Sequence, residues 1–363
     1  MLLIGSTRGR RTELLREALA ARHLRLEVFE WSDLLADPGA LDALALRARE
    51  GGHAWCKIET PGEDAALDHA LVLRGWKLTG ADLQPPLPVR HGELTHRNWR
   101  FAGFAEILRQ IARSIRGLPL LNDVDDILGM CDKWVCQQKF RAQGLPIAEP
   151  LGVVESFEEF DARVGARDYP AVFIKSRYGS SAAGVIALRR HHDGRMLAYS
   201  SARVAVGAIH NHLAIARYSR RAEIAPLVDA LAKQGAYAEC WSPKARLPGD
   251  RHSNYDLRFV ACSGEARQRI ARISRSPLTN LHLGNSRAAP EWLSDIELRT
   301  LEDTTARAAA VFPRSHSIGF DIGFNAGRAC LFEANAFGDL LPDLRYASRT
   351  TYEDQAHLVS RDE

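Results

Sequence analysis

Apolar residues recur along this chain with two different periods. Near the amino end Leu2 to Ile4 form a short apolar run, Gly5 to Gly9 interrupt it, and Leu14, Leu15, Ala18 and Leu19 then recur at helical spacing between Thr12 and Ala21. A second apolar run, Leu24 to Phe29, comes directly after. Strand, turn, helix and strand in this order predict an α/β layer with parallel pairing. GSTRGR, between the first strand and its helix, reads as a plain βα turn, because it lacks the G-x-G-x-x-G of a dinucleotide site. Beyond the stiff connector LQPPLPV, the residues Phe104, Ile107, Ile111 and Ile115 mark one face of another helix, and a domain boundary is placed near residue 118. The stretch LPLLNDVDDILGMCDKWVCQQKFRAQGLPIAEP then reads as a short strand, a capped turn and one long helix stopped by Gly144 and Pro146.

Alternation takes over in the second half. Tyr169 to Lys175 and Gly184 to Leu188 read as two strands flanking a glycine-serine turn. In SIGFDIGFNAGRACLFEANAFGDLLP, Phe320, Ile322 and Phe324 alternate with Gly319, Asp321 and Gly323, and Cys330 and Phe332 alternate with Leu331, Glu333 and Asn335. Two strands with one apolar face each are predicted. A three-residue loop centred on Gly327 would set Asp321 opposite Glu333, with Asn335 two residues on along the same face.

Composition narrows the classes. With 363 residues, 46% hydrophobic and 26% charged, the chain is long enough for two or three domains with their own cores. A net charge of +3 is far below the basic excess of a dedicated nucleic-acid binder, so no nucleic-acid partner is expected. The six cysteines have no zinc or disulfide spacing and read as reduced thiols of a cytoplasmic protein. MLLIGSTRGRRTELL is too poor in apolar residues for a signal peptide, and no run approaches the ~20 residues of a membrane span.

Three constellations carry chemistry. The first is VFIKSRYGSSAAGVIAL, where a strand delivers Lys175 to its end and Gly179, Ser180, Ser181 and Gly184 make a small-residue loop. Such a loop lets backbone N–H groups approach phosphate oxygens while the lysine supplies a point charge. A hairpin with a polar turn would look the same. It is not a Walker A loop, since the lysine precedes the glycines. The second is Asp321, Glu333 and Asn335, hard oxygen donors on one face, the set that Mg²⁺ shares with nucleotide phosphates and water. Phe337, Leu340 and Leu341 come next in the chain, so the face is expected to border a packed interior. The third is Glu239, Cys240 and Trp241 at the end of a strand-like stretch, a hinge that would hold an adenine by backbone hydrogen bonds and stacking, or else a piece of ordinary core.

Taken in order, these segments resemble the ATP-grasp fold, in its glutathione-synthetase-like branch with the ribosomal-protein glutamate ligases (RimK-like), from about Leu118 to Pro342. The resemblance implies an α/β (α+β) chain in three parts: an N-terminal Rossmann-like pre-ATP-grasp domain over residues 1–118, a small lobe with a Gly-rich lid and a helical insertion over 119–238, and a large lobe with the Mg²⁺ site over 239–363. Asp132-Lys133 matches the family's D-K motif, and Lys175 with the loop from Gly179 to Gly184 matches its second lysine and lid. Glu239, Cys240 and Trp241 fall at its adenine hinge, Asp256-Leu257-Arg258 on its D-I-R strand, Asn280-Leu281-His282 on its S-N-L-H segment, and Asp321, Glu333 and Asn335 on its three metal ligands. Ala182 stands where a glycine is common, and the stretch from Leu188 to Gln234 exceeds the usual helical connection.

The activity implied by the resemblance is that of an ATP-dependent carboxylate-amine or carboxylate-thiol ligase working through an acyl phosphate. ATP and Mg²⁺, with Mn²⁺ as a substitute, are the implied cofactors, and an amino acid, peptide or protein the implied substrate. Lys133 and Lys175 would hold phosphates, Arg258 the acyl phosphate, and His282 is the one histidine near the chemistry. Two alternatives remain open on sequence: a kinase that leaves its phosphate on the substrate, and a nucleotide sensor without ligase activity. No membrane partner is expected, and homo-oligomers are left open.

Overall fold

The computed structural model describes the chain except residues 63, 81–83, 167–168, 180–182, 206–207, 277–284, 338–339 and 362–363, and the side chain of 213. Its first part comprises β1 (Leu2–Gly5), α1 (Arg10–Ala20), β2 (Glu27–Glu30), α2 (Trp31–Ala36), α3 (Ala40–Glu50), β3 (Cys56–Ile58), α4 (Ala65–Thr79) and α5 (Arg97–Ser114). The three strands form a parallel sheet in the order β2-β1-β3. Phe104, Ile107, Ile111 and Ile115 of the α5 region are all buried, the face that their spacing predicts. Helices α4 and α5 approach backbone to backbone, because a Cβ on Gly103 would stand 2.0 Å from the Leu71 carbonyl and one on Gly75 would stand 1.8 Å from that of Trp99. We expect Gly103→Ala to cost about 1–2 kcal/mol net in urea unfolding, since forcing the helices apart outweighs the ~1 kcal/mol of helix propensity that alanine returns. A wild-type midpoint would contradict that packing.

The middle part contains α6 (Val124–Cys131), α7 (Lys133–Ala142), β4 (Pro150–Val154), α8 (Phe157–Ala166), β5 (Ala171–Ser176), β6 (Ile186–Arg190), β7 (Met196–Ala205), β8 (Ala208–Tyr218), α9 (Arg221–Ala232) and β9 (Ala236–Cys240). The long helix expected from apolar spacing is two, and Asp132-Lys133 opens the second, as the resemblance to the D-K motif at a helix start implies. Asp132 is extended at ψ 97 and accepts hydrogen bonds from Trp134 N and Val135 N, so it ends α6 and caps α7. The short strand expected before α6 reduces to a bridge between Leu120 and Cys56. The segment between Leu188 and Gln234, expected to be helical, is mostly the long β7–β8 hairpin, with α9 after it. Six antiparallel strands run β4-β9-β5-β6-β7-β8, and α8 and α9 cover one face in a separate core around Phe157, Phe160, Ile174 and Leu227.

The last part holds β10 (Arg246–Leu247), β11 (Asp250–Cys262), β12 (Glu265–Ser274), β13 (Ser286–Ala288), α10 (Asp295–Ala309), β14 (Ser317–Asn325), β15 (Arg328–Asn335) and α11 (Thr351–Val359). Its sheet runs β13-β12-β11-β14-β15, with β10 added to β11. One large core joins this sheet to the amino-terminal layer and to α5, α6 and α7, through Phe104, Phe140, Phe312 and Phe320 among others. Each fully buried side chain of this kind contributes ~1.5–3 kcal/mol. The two larger sheets thus have separate cores, and the uncovered face of the middle sheet meets β15.

Candidate functional site

The β14–β15 hairpin builds one wall. Its turn is only two residues, Ala326 and Gly327, both at positive φ (50° and 75°), so Asn325 pairs with Arg328. Continued without interruption, that register would set Asp321 opposite Phe332. A bulge shifts it by one, so that Ile322 faces Leu331 while Asp321 faces Glu333 and Gly319 faces Asn335. The pair expected from sequence is present, reached by a two-residue turn plus a bulge rather than by a three-residue loop. The apolar face of β15 changes accordingly. Leu331 and Ala334 enter the core, whereas the Phe332 ring lies toward the neighbouring sheet, 5.8 Å from Lys175 Nζ and 5.5 Å from Lys244 Nζ. Gly323 makes room for it, because a Cβ there would stand 2.4 Å from the ring. Leu340 and Leu341 are buried after the hairpin, as the sequence suggests.

The β11–β12 hairpin repeats the device. A two-residue turn at Ser263 and Gly264 starts the ladder, and an irregularity between Phe259 and Ala261 moves it by one, which sets Asp256 opposite Arg272. On the other side β11 pairs with β14, placing Arg258 against Asp321. A buried ionic chain results. Lys244 Nζ donates to Asp256 Oδ2 at 2.8 Å, Arg272 donates to Asp256 Oδ1 at 2.8 Å and contacts Asp321 Oδ2 at 3.0 Å, and Arg258 Nε donates to Asp321 Oδ1 at 2.5 Å. Burial alone would raise the Asp321 pKa, but the charges of Arg258 and Arg272 prevail and lower it. Asp256 is held well below the usual carboxylate range, against burial, by Arg272 and Lys244.

Lys133 and Lys175 complete the cluster from the middle sheet and α7. Asp132 joins both elements, because Arg177, just past β5, donates to it through Nε (3.1 Å) and Nη2 (2.6 Å), while Lys133 N donates to Arg177 O at 3.0 Å. This fixes Lys133 at the first position of α7, and its Nζ pairs with Glu333. Lys175 Nζ pairs with Glu239 at 2.5 Å. Burial first, and the Lys175 charge second, lower the Lys133 pKa to about 8. Asn335 leans on the Gly319 carbonyl through Nδ2 at 3.5 Å.

Of the hinge residues, Glu239 is buried with its carboxylate on Lys175, and Trp241 packs on Phe173 (centroids 4.9 Å apart) under Arg189. The N–H groups of Cys240 and Trp241 are spent inside the sheet, on the carbonyls of Glu149 and Ala171. A base held by backbone here would have to use carbonyls, or N–H groups further along. Gly179 and Gly184 flank the loop after β5. Ser180, Ser181, Asn280 and His282 lie outside the described residues.

Sequence reasoning misses Lys244, Arg272, Arg177 and Phe332. The basic residues look like many others along the chain, and strict alternation assigns Phe332 to the core, which a bulge prevents. Among the described residues no three His, Cys, Asp or Glu side chains are grouped so as to hold a metal by themselves. The oxygen donors expected to hold Mg²⁺ are engaged with protein partners in this structure, Asp321 with Arg258 and Arg272, Glu333 with Lys133, and Asn335 with the Gly319 carbonyl. Nor, among the described residues, is any helix long and apolar enough to cross a membrane.

No protein-family model and no curated protein matches this sequence. Solved structures do. The ATP-grasp ligase PsnB, complexed with a minimal precursor, matches 100% of this chain and 98% of its own at TM-score 0.56 and 13% identity. D-cycloserine synthetase DcsG matches 100% of both chains at 0.57 and 13%. The D-alanine–D-alanine ligase from Bacillus anthracis matches 99% of this chain and 95% of its own at 0.52 and 9%. PsnB has also been solved with Mg and ADP, and the D-alanine–D-alanine ligase with ATP. At these identities the likeness is one of fold, and the fold of this chain is that of the ATP-grasp ligases.

Proposed function

We propose that this ATP-grasp chain is an ATP-dependent ligase that activates a carboxylate as an acyl phosphate and transfers it to an amine, with an amino acid, peptide or protein as substrate. The observation that carries this reading is the convergence, between two sheets, of Lys133, Lys175, Lys244, Arg258 and Arg272 with Asp321 and Glu333. Phosphoryl transfer asks a protein mainly for positioning and charge neutralisation, which such a cluster supplies. Asp321, Glu333 and Asn335 would hold Mg²⁺, which neutralises phosphate charge when bound, with Mn²⁺ as a substitute.

The lysines act as mobile point charges. Each is anchored to a carboxylate in the free protein, Lys133 to Glu333 and Lys175 to Glu239, and either can turn toward phosphate oxygens entering between the sheets. Arg258 stands on β11 directly beside Asp321, and in this reading it would neutralise the transferred phosphoryl group and the later oxyanion. The amine then attacks the acyl carbon and phosphate leaves. All six cysteines are free thiols, which suits a reducing, cytoplasmic setting.

The test is a screen for ADP release with MgATP against amino acids, short peptides and cell extract, with mass spectrometry of the product. A ligase yields ADP, free phosphate and a joined product. ADP release that no acid stimulates would remove the proposal. Within it, Lys175→Ala is expected to weaken nucleotide binding by on the order of ten- to a hundred-fold, and Lys175→Arg by less, since arginine keeps the charge with a different geometry. Equal affinity in wild type and Lys175→Ala would leave the loop after β5 as a plain hairpin.

A further inference from the structure

Strand β9 pairs with β5 so that Tyr237 lies opposite Lys175 and Glu239 lies opposite Phe173. Cross-strand partners share a face, so Lys175, Tyr237 and Glu239 all lie on the side of the sheet turned toward β15. Tyr237 is fully buried, its ring 5.9 Å from that of Trp134 at the start of α7. Its hydroxyl lacks a well-aligned hydrogen bond among the described residues, and its pKa is raised first by burial and then by the Glu239 carboxylate, which lies beside it. A buried hydroxyl without a partner costs stability, and phenylalanine would fill the same space without that cost. The oxygen therefore points to a state in which it is used.

The neighbouring acid supplies that state. Glu239 is 3% exposed, and the cation on its carboxylate is Lys175. If phosphates draw Lys175 away, Glu239 becomes a buried carboxylate without a cation, which is strongly unfavourable. A donor two residues along the same strand face is already in place. Lys133, the other nearby cation, is committed to Glu333 and to the same phosphates. Burial first and the Glu239 charge second keep the Tyr237 phenol protonated, hence able to donate.

Resting on the ligase reading above, we propose that Tyr237 is a positioning residue whose hydroxyl takes over the Glu239 carboxylate when Lys175 leaves it for a bound nucleotide. Lys175 is thereby released toward phosphate without stranding a buried charge. The hydroxyl lies beside Glu239 without a well-aligned bond in the free protein and would engage it fully in the nucleotide complex, which separates this role from ordinary packing.

The test compares the full chain with Tyr237→Phe, using the Mg²⁺ complex of a non-hydrolysable ATP analogue. Without nucleotide, Tyr237→Phe is expected to keep or raise the wild-type Tm, since it removes an unsatisfied group. Its affinity for the analogue is expected to fall by on the order of ten- to a hundred-fold, the range of a hydrogen bond to a charged group. In a Glu239→Gln background the same substitution is expected to change affinity by less than about twofold, because no carboxylate then needs the donor. Three results would overturn the proposal: a Tm several degrees lower without nucleotide, an unchanged affinity, or an equal loss in both backgrounds. A wild type that binds no nucleotide at all would instead strike the ligase reading, and this one with it.

Discussion

Glu333→Gln and Asn335→Ala are each expected to lower ATP turnover by at least on the order of a hundredfold while leaving the fold intact. The reason would be coordination chemistry: if these side chains hold Mg²⁺, Glu333→Gln removes the charge of one oxygen donor and Asn335→Ala removes another donor from the face shared by β14 and β15. The structural cost is small by comparison. Glu333 is partly exposed and its partner Lys133 still feels the charges of Asp321 and Glu239, so the pair is not reduced to an isolated cation. A Tm change of no more than about 4 °C is expected, given that 1 kcal/mol moves a domain of this size by roughly 2–4 °C. Wild-type turnover in either variant would remove the metal assignment, whereas loss of the far-UV circular dichroism signal would show that the residue is structural.

Arg258→Ala is expected to reduce hydroxylamine trapping of the activated acid by a factor on the order of a hundred, comparable to losing one oxyanion donor. Hydroxylamine converts an acyl phosphate to a hydroxamate but leaves a phosphate ester untouched, so the assay also separates a ligase from a kinase. Arg258 could have been spent on its strand neighbour Asp256, but Asp256 is satisfied by Lys244 and Arg272, while Arg258 bonds Asp321. Removing Arg258 still leaves Asp321 in contact with Arg272, so nucleotide affinity should change far less than trapping. Undiminished trapping would make Arg258 a structural partner of Asp321 only. A stable phosphorylated product without hydroxamate would overturn the ligase reading.

The two hairpins show where a sequence is legible and where it is not. Alternation in β14 and β15 identifies both strands and places Asp321, Glu333 and Asn335 on related faces, because period-two patterning reflects which side of each strand meets the core. Alternation does not announce a bulge. At Phe332 and again between Phe259 and Ala261 one extra residue enters the ladder, and each time the shift decides which side chains meet: Asp321 with Glu333, and Asp256 with Arg272. The break at Asp132 is similar. Aspartate is a good cap and a poor helix-interior residue, so the signal is present, but the apolar spacing on both sides allows one continuous helix.

By itself the sequence determined the local elements and the inventory of chemistry: the parallel opening layer, the buried face of α5, the lysine at the end of β5, and the acid and amide donors of β14 and β15. These depend on short-range periodicity and on residue type, which neighbours in the chain already specify. Only the tertiary structure decided that Lys133 reaches Glu333, that Lys175 and Lys244 flank Phe332, that Arg258 and Arg272 share Asp321, and that the buried Tyr237 hydroxyl lies beside Glu239. Those pairings join residues 63 and 200 positions apart, as in Arg258 with Asp321 and Lys133 with Glu333. They are set by how two separately packed sheets face each other and by one-residue shifts in their ladders, and neither leaves a periodic trace along the chain.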